Sequence, residues 1–322
     1  MSNTDVDRAN PTPCTGGAHE DALERLDARV AQVGTSLTIR RALPNTSRRM
    51  IGAWCFLDHF GPVTFQSRTD GMWVGEHPHI GLQTVTWLYE GSVLHRDSIG
   101  SVERIQPGGL NVMTAGRGIA HTEESPTDHE GELHGVQLWL ALPEKHAEVD
   151  PAFEHVGALP VFENETVRGT VFIGQGLGVE SPATVYSPLL GAEVNVTTAG
   201  THRIPLEPAF EHGVVVGKGK IRVDGTAVEI GHLAYLAPGR RELVFETDGP
   251  VRFTLVGGEP FGEDLLLWWN FVGRSHDEIA DALNDWQARA RFGHVEGFEG
   301  GRLVAPDLEG RLKPRPPSRR NA

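Results

Sequence analysis

The residues best suited to chemistry in this chain form two short pairs, His77-Pro78-His79 and His121-Thr122-Glu123. In each pair the candidate ligands stand two residues apart. Successive side chains of an extended strand alternate between faces, so residues i and i+2 point the same way. Two such strands lying side by side aim three imidazoles and one carboxylate at one point. That donor set suits a divalent transition metal and leaves coordination positions open.

The flanking residues say which elements must hold these pairs. Pro78 cannot donate a ladder hydrogen bond, so it belongs at a strand start, an edge or a bulge. This places His77 and His79 near the rim of a barrel. Gly116 and Gly118 permit a tight turn just before the strand that carries His121 and Glu123. Between the pairs there is room for two hairpins, and an antiparallel barrel returns easily to a neighbouring strand.

The chain has 322 residues, enough for two ordinary domains or one large one. Its formal net charge of −14 repels phosphate backbones and argues against direct nucleic-acid binding. No apolar run approaches ~18 residues, so no membrane span is expected. The polar start at residues 1–15 lacks the apolar stretch of a signal peptide, which makes the cytoplasm the expected compartment. Cys14 and Cys55 are the only cysteines, too few for a disulfide framework.

The 39 glycines and 21 prolines are scattered between short apolar runs, the punctuation of many turns joining short strands. Residues 1–34 read as an N-terminal extension, disordered at first, with a helix expected over 20–33 because Leu23, Leu26, Val30 and Val33 recur at helical spacing. Strand-like runs fill 35–175, the expected metal-binding domain. A second β-rich region of similar rhythm occupies 176–295, with Asp224-Gly225 as a hairpin turn. Toward its end, Ser275 or Asp277 caps a helix with Ile279, Leu283 and Trp286 on one face, stopped by Gly293. Residues 296–322 read as a solvated Pro- and Arg-rich tail. The expected fold class is mainly all-β with a short C-terminal helix: many short strands at this spacing suggest a sandwich or barrel, and the shared rhythm of the two regions a duplicated β-barrel.

Several other residues invite a role. His59 reads as a hydrogen-bonded structural histidine, and Asp97 and Ser98 as turn formers. Arg117 faces the site mouth or makes a surface ion pair. His134, just before a strand, approaches the pocket. Trp73, Trp139 and Met113 are candidate pocket walls, with barrel core as the simpler reading of each. Residues 174–178 lack the strand-to-helix context of a nucleotide loop.

The spacing Gly71-x5-His77-x-His79, the run Met113-Thr-Ala-Gly-Arg-Gly-Ile-Ala-His-Thr-Glu123, and the stretches 56–62, 135–139, 257–260 and 269–272 resemble the pirin family of bicupins from about Leu37 to Gly293. The resemblance implies a bicupin, two face-to-face antiparallel, jelly-roll-like β-barrels with metal only in the first, held by His77, His79, His121 and Glu123. The second barrel fits a metal-free role, since His212 and His232 are isolated. Where many relatives carry Glu, this chain has Gln83, which cannot supply a carboxylate and is left to tune hydrogen bonding or substrate orientation. Iron(II) is the family's usual metal, and the ligand types also suit Mn, Co, Ni, Cu or Zn.

The implied activity is that of a quercetin 2,3-dioxygenase, which opens a flavonol ring with O2 and releases carbon monoxide. Glu123 is then the catalytic residue that shuttles the substrate proton. The alternative is a non-enzymatic, iron-dependent redox sensor and transcriptional coregulator, for which the acidic chain points to a protein partner. Nothing in the sequence marks an oligomer, and a monomer is the expectation.

Overall fold

The structure is a computed structural model that describes residues 23–33, 37–67 and 70–318. The first half comprises β1 (Glu24–Asp27), β2 (Arg29–Val33), β3 (Leu37–Leu43), β4 (Trp54–Thr64), β5 (Trp73–His79) and β6 (Leu82–Gly91). It continues through β7 (Val93–Asp97), β8 (Val102–Ile105), β9 (Leu110–Thr114), β10 (Ile119–Glu124), β11 (Glu132–Ala141) and β12 (Ala152–Val156). The second half runs through β13 (Val161–Glu163), β14 (Val167–Gly176), β15 (Val179–Glu180), β16 (Leu189–Val196), β17 (Gly200–Pro205) and β18 (Glu211–Lys218). Then come β19 (Lys220–Val223), β20 (Thr226–Glu229), β21 (His232–Leu236), β22 (Glu242–Thr247) and β23 (Val251–Gly258). A last unit holds β24 (Leu266–Trp268), β25 (Phe271–Gly273) and helix α1 (His276–Gln287).

These strands build two antiparallel, two-sheet barrels. In the first, the sheet β12-β9-β6-β11-β4-β3-β2 lies over β5-β10-β7-β8. In the second, β1-β21-β18-β23-β16-β14-β13 lies over β17-β22-β19-β20, with β15 beside β14. The two orders correspond strand for strand, which is the structural record of a duplication. One position differs in origin. The outer edge is filled by β12, which follows the first barrel, and in the second barrel by β1, the first strand of the chain.

Alternation along the large sheets turns one face of each into its own barrel and the other toward the neighbouring barrel. Val214 and Val216 point into the second barrel, whereas Val215 points out. Likewise Val85, Trp87 and Leu138 point out of the first barrel, and the two outward faces share one core with Phe172, Ile173 and Val256. Trp87 stacks on Phe172 with centroids 5.0 Å apart, and its indole N–H donates to Glu193 Oε2 at 2.7 Å.

Three expectations need correction. Residues 24–33 form β1 and β2, because pairing with β21 and β3 overrides a weak helical spacing; residues 20–22 lie outside the described residues. Helix α1 is capped by Ser275, whose Oγ accepts from the Glu278 N–H, but it ends at Gln287, well short of Gly293. Residues 296–318 do not float in solvent: Leu303 and Ala305 pack with Trp286 and Phe292, and Arg315 exchanges backbone hydrogen bonds with Leu265. Cys55 is buried and makes no disulfide among the described residues, its thiol pushed up to about 12 by burial, and Cys14 lies outside the described residues. No helix among the described residues is long and apolar enough to cross a membrane.

Because one core serves both barrels, Phe172→Ala is expected to cost about 3–5 kcal/mol. Urea unfolding followed by tryptophan fluorescence should show a lower midpoint with both barrels still melting together.

Candidate metal centre

Strand β5 pairs antiparallel with β10 so that His121 lies directly opposite His77. The pleat then puts His79 on the same side, and the three rings stand with centroids 4.3–5.0 Å apart. All three are fully buried. Beyond His121 the register slips: Glu123 pairs with Val74, so three residues of β5 oppose two of β10. This bulge falls at Gly75–Glu76, and β5 is the sheet edge, as Pro78 requires. The turn before β10 also follows expectation. Gly116 has φ +50°, and a Cβ there would sit 1.9 Å from the Val149 carbonyl oxygen.

The outer nitrogens decide what the inner ones can do. His77 Nδ1–H donates to the Gly75 carbonyl at 2.8 Å, and His79 Nδ1–H to the Asn270 carbonyl at 2.9 Å. Each Nε2 of these neutral rings is therefore a bare lone pair. His77 Nε2 is buried and has no hydrogen-bond partner among the described residues. His79 Nε2 and His121 Nε2 face each other at 3.1 Å. On its far side His121 Nδ1 stands 3.4 Å from His95 Nδ1, and His95 Nε2–H donates to Asp97 Oδ2 at 3.0 Å. A proton on His121 Nδ1 and one on His95 Nε2 complete this chain and leave His121 Nε2 bare as well.

Burial keeps the cluster neutral. It holds His79 down to about 3 and His77 and His121 well below the usual imidazole range, with the neighbouring rings adding to the shift for His77 and His121. Three neutral imidazoles whose ligand atoms all lie within 4.8 Å of one another form a group able to hold a metal ion. Two nitrogens roughly 3 Å apart suit adjacent ligands at ~2.1 Å from one ion. Glu123, two residues further along β10, is buried and opposite His95.

Sequence reasoning missed His95, although His95-Arg96-Asp97 has the same i, i+2 spacing. Asp97 does form the expected turn, accepting from the Ile99 and Ser101 N–H groups, and it also anchors His95. Burial works to raise its carboxyl, but the His95 and Ser101 hydrogen bonds hold it below the usual range. The Asn270 carbonyl was missed too, being a backbone group distant in sequence. Residues 301–303 cover the free edge of β5. Glu76 N–H donates to the Gly301 carbonyl and Leu303 N–H to the Glu76 carbonyl. The buried Glu76 carboxylate meets Arg302 at 3.2 Å and His294 at 3.0 Å, while the Arg302 guanidinium lies 3.4 Å from the Trp286 ring centroid.

Facing the imidazoles is one cross-strand row of the large sheet: Phe153, Met113, Thr84, Trp139 and Phe56. Trp139 meets His79 edge-on at 5.0 Å, and Phe153 stacks on His95 at 4.5 Å. Trp139 and Met113 thus line the site, but Trp73 does not; it is half-exposed and packs on Phe298. Gln83 is on the opposite face of β6, donating to Thr114 Oγ1 at 3.0 Å and to the Thr184 carbonyl at 3.1 Å, so it cannot orient a ligand at the cluster. Arg117 pairs with Asp150 at the surface. His59 and His134 pair with each other, Nε2 to Nε2, at 2.9 Å. Residues 174–178 form the β14–β15 hairpin. In the second barrel the equivalent pair β17–β22 sets His202 opposite Phe245.

A duplicated cupin-type barrel with its histidine cluster in the first copy defines a recognisable class. Residues 36–140 match the Pirin family model and residues 191–293 that of the pirin C-terminal cupin domain. The chain belongs to the pirin family. It is 46% identical over 311 residues to a Pseudomonas aeruginosa protein provisionally named a quercetin 2,3-dioxygenase, covering 96% of this chain and 98% of that one. A Caulobacter vibrioides pirin-like protein is 38% identical over 88% of this chain and 95% of its own. The crystal structure of a quercetin 2,3-dioxygenase from Acinetobacter baumannii superposes with a TM-score of 0.88 at 43% identity, covering 91% of this chain and 97% of that chain.

Two outcomes are expected. Replacing His95 by Phe removes the acceptor behind His121 and should weaken metal binding about 10–100-fold in calorimetric titration. The second concerns acid stability. Burial first, then the partner ring, lowers His59 to about 3, and burial then Arg252 lowers His134 to about 4, against 6.5 unfolded. The native state binds fewer protons, so the contribution is full above about 6.5 and is lost as pH falls toward 4 and 3. Urea midpoints should drop across that window, and less steeply in a His59→Leu/His134→Leu variant.

Proposed function

We propose that this chain is a metal-dependent dioxygenase of the quercetin 2,3-dioxygenase type, opening a flavonol-like aromatic ring with O2. His77, His79 and His121 hold one divalent metal, Fe(II) by family habit, and Glu123 completes the set. The observation that carries the reading is the tying off of the outer nitrogens, which turns the Nε2 lone pairs of His77, His79 and His121 toward one point. A bound metal supplies Lewis acidity and an orienting template for substrate and O2.

The chain's own residues do the rest. Trp139, Met113 and Phe56 offer a flat apolar wall for an aromatic ring and keep water out. A Glu123 carboxylate oxygen accepts the proton of the substrate hydroxyl and returns it to the ring-opened product. Both oxygen atoms of O2 enter the organic product and one ring carbon leaves as carbon monoxide. The names of the 46% and 43% identical relatives support the same reaction class.

Aerobic assay of the Fe(II)-loaded protein with quercetin tests this. Loss of the flavonol absorbance with one carbon monoxide released per O2 consumed is expected. Glu123→Gln should cut turnover about 10²–10⁴-fold. Full iron retention with no turnover of any flavonol sinks the reading.

A further inference from the structure

Two residues along each strand from the row that faces the imidazoles lies the next row of the same interior face, and it is polar throughout. Register sets Arg41 opposite Asp58, Asp58 opposite Gln137, Gln137 opposite Thr86, Thr86 opposite Asn111, and Asn111 opposite His155. Gln137 and Asn111 are 1% and 3% exposed. Hydrogen bonds along the row fix which way they turn. Thr86 Oγ1 donates to Gln137 Oε1 at 2.9 Å, and His155 Nδ1 donates to Asn111 Oδ1 at 2.7 Å. Each bond occupies a carbonyl oxygen and leaves the amide nitrogen facing elsewhere.

Among the described residues those nitrogens have no acceptor. Gln137 Nε2 and Asn111 Nδ2 are buried without a hydrogen-bond partner, as is Trp139 Nε1 in the row beside the histidines. An unsatisfied buried donor costs about 1–3 kcal/mol, so three on one face of one barrel call for an acceptor from outside the protein. The fold itself does not demand a polar layer here. The matching row of the second barrel is apolar across its five inner strands, Val171, Ala192, Leu255, Val214 and Ala234, with Arg25 only at the exposed edge strand β1.

We propose that this row is a subsite for the outer, oxygen-bearing ring of a two-part aromatic substrate. The amide N–H groups of Gln137 and Asn111 donate to hydroxyl oxygens on that ring, while Trp139 spans the distance to the histidine cluster. Same-face rows stand roughly 7 Å apart along a strand. A fused ring system at the imidazoles therefore places a pendant ring one row deeper, at the amides. The inference rests on the flavonol reading and narrows it to substrates hydroxylated on the pendant ring.

Anaerobic binding to the full-length, metal-loaded protein tests this, read by quenching of tryptophan fluorescence. The probes are quercetin, with two hydroxyls on the pendant ring, and galangin, with the same fused rings and none. Wild type should bind quercetin about 10-fold tighter, the worth of one well-made buried hydrogen bond. Gln137→Leu and Asn111→Leu should each bring quercetin toward the galangin value, with the galangin Kd and metal stoichiometry unchanged. Equal Kd values for the two flavonols on wild type, or no binding of either, overturn the proposal; so does an undiminished preference in both variants. Absent turnover with the pendant-ring preference intact removes the dioxygenase reading and leaves the subsite standing. Turnover of both flavonols with a single Kd removes the subsite alone.

Discussion

The pairing of β5 with β10, His121 opposite His77, is the constraint on which the rest of the first barrel depends. A slip of one residue would turn every candidate ligand on one strand to the outside. The corresponding pair in the second barrel, β17 with β22, is equally regular but sets His202 against Phe245. Strand pairing is thus common to both copies, and side-chain identity at a few inward positions separates a cluster of imidazoles from an ordinary apolar core. The bulge at Gly75–Glu76 belongs to the same constraint. It carries the backbone carbonyl that fixes the His77 ring and turns Glu76 toward Arg302 and His294.

Burying three imidazoles is unfavourable unless their polar atoms are met, and the structure meets only the outer half of each ring. Two backbone carbonyls and the His95–Asp97 pair take the Nδ1 positions. Desolvation removes the competing proton from the inner nitrogens at neutral pH. Affinity for a cation therefore arises as much from what stands behind the rings as from the rings themselves.

Much of this was legible in the sequence. Period-two spacing disclosed His77, His79 and His121, the three side chains that converge, and set Glu123 two residues along the same strand, outside that group of three; Pro78 disclosed the edge strand, and Asp224-Gly225 disclosed a hairpin, with positive φ at both residues. Other features were hidden for stated reasons. Leu26, Val30 and Val33 have helical spacing, but the partner strands that claim them are remote, so local periodicity misled. Gln83 looked like part of the site because motif position ignores the pleat; counted by alternation from Thr84, it faces out. His95 carried the right spacing and was passed over for its neighbour Asp97. The polar row from Arg41 to His155 takes one residue from each of six strands and exists only once register is known.

His79 leans on the Asn270 carbonyl, 191 residues downstream. The edge of its strand is closed later still, by residues 301–303. A ribosome building this chain releases the whole first barrel well before it makes either support. The histidine cluster is therefore among the last features to mature during synthesis, although its residues are among the earlier ones made. A nascent chain stalled after the second barrel would hold all its candidate ligands and still lack the brace that orients one of them.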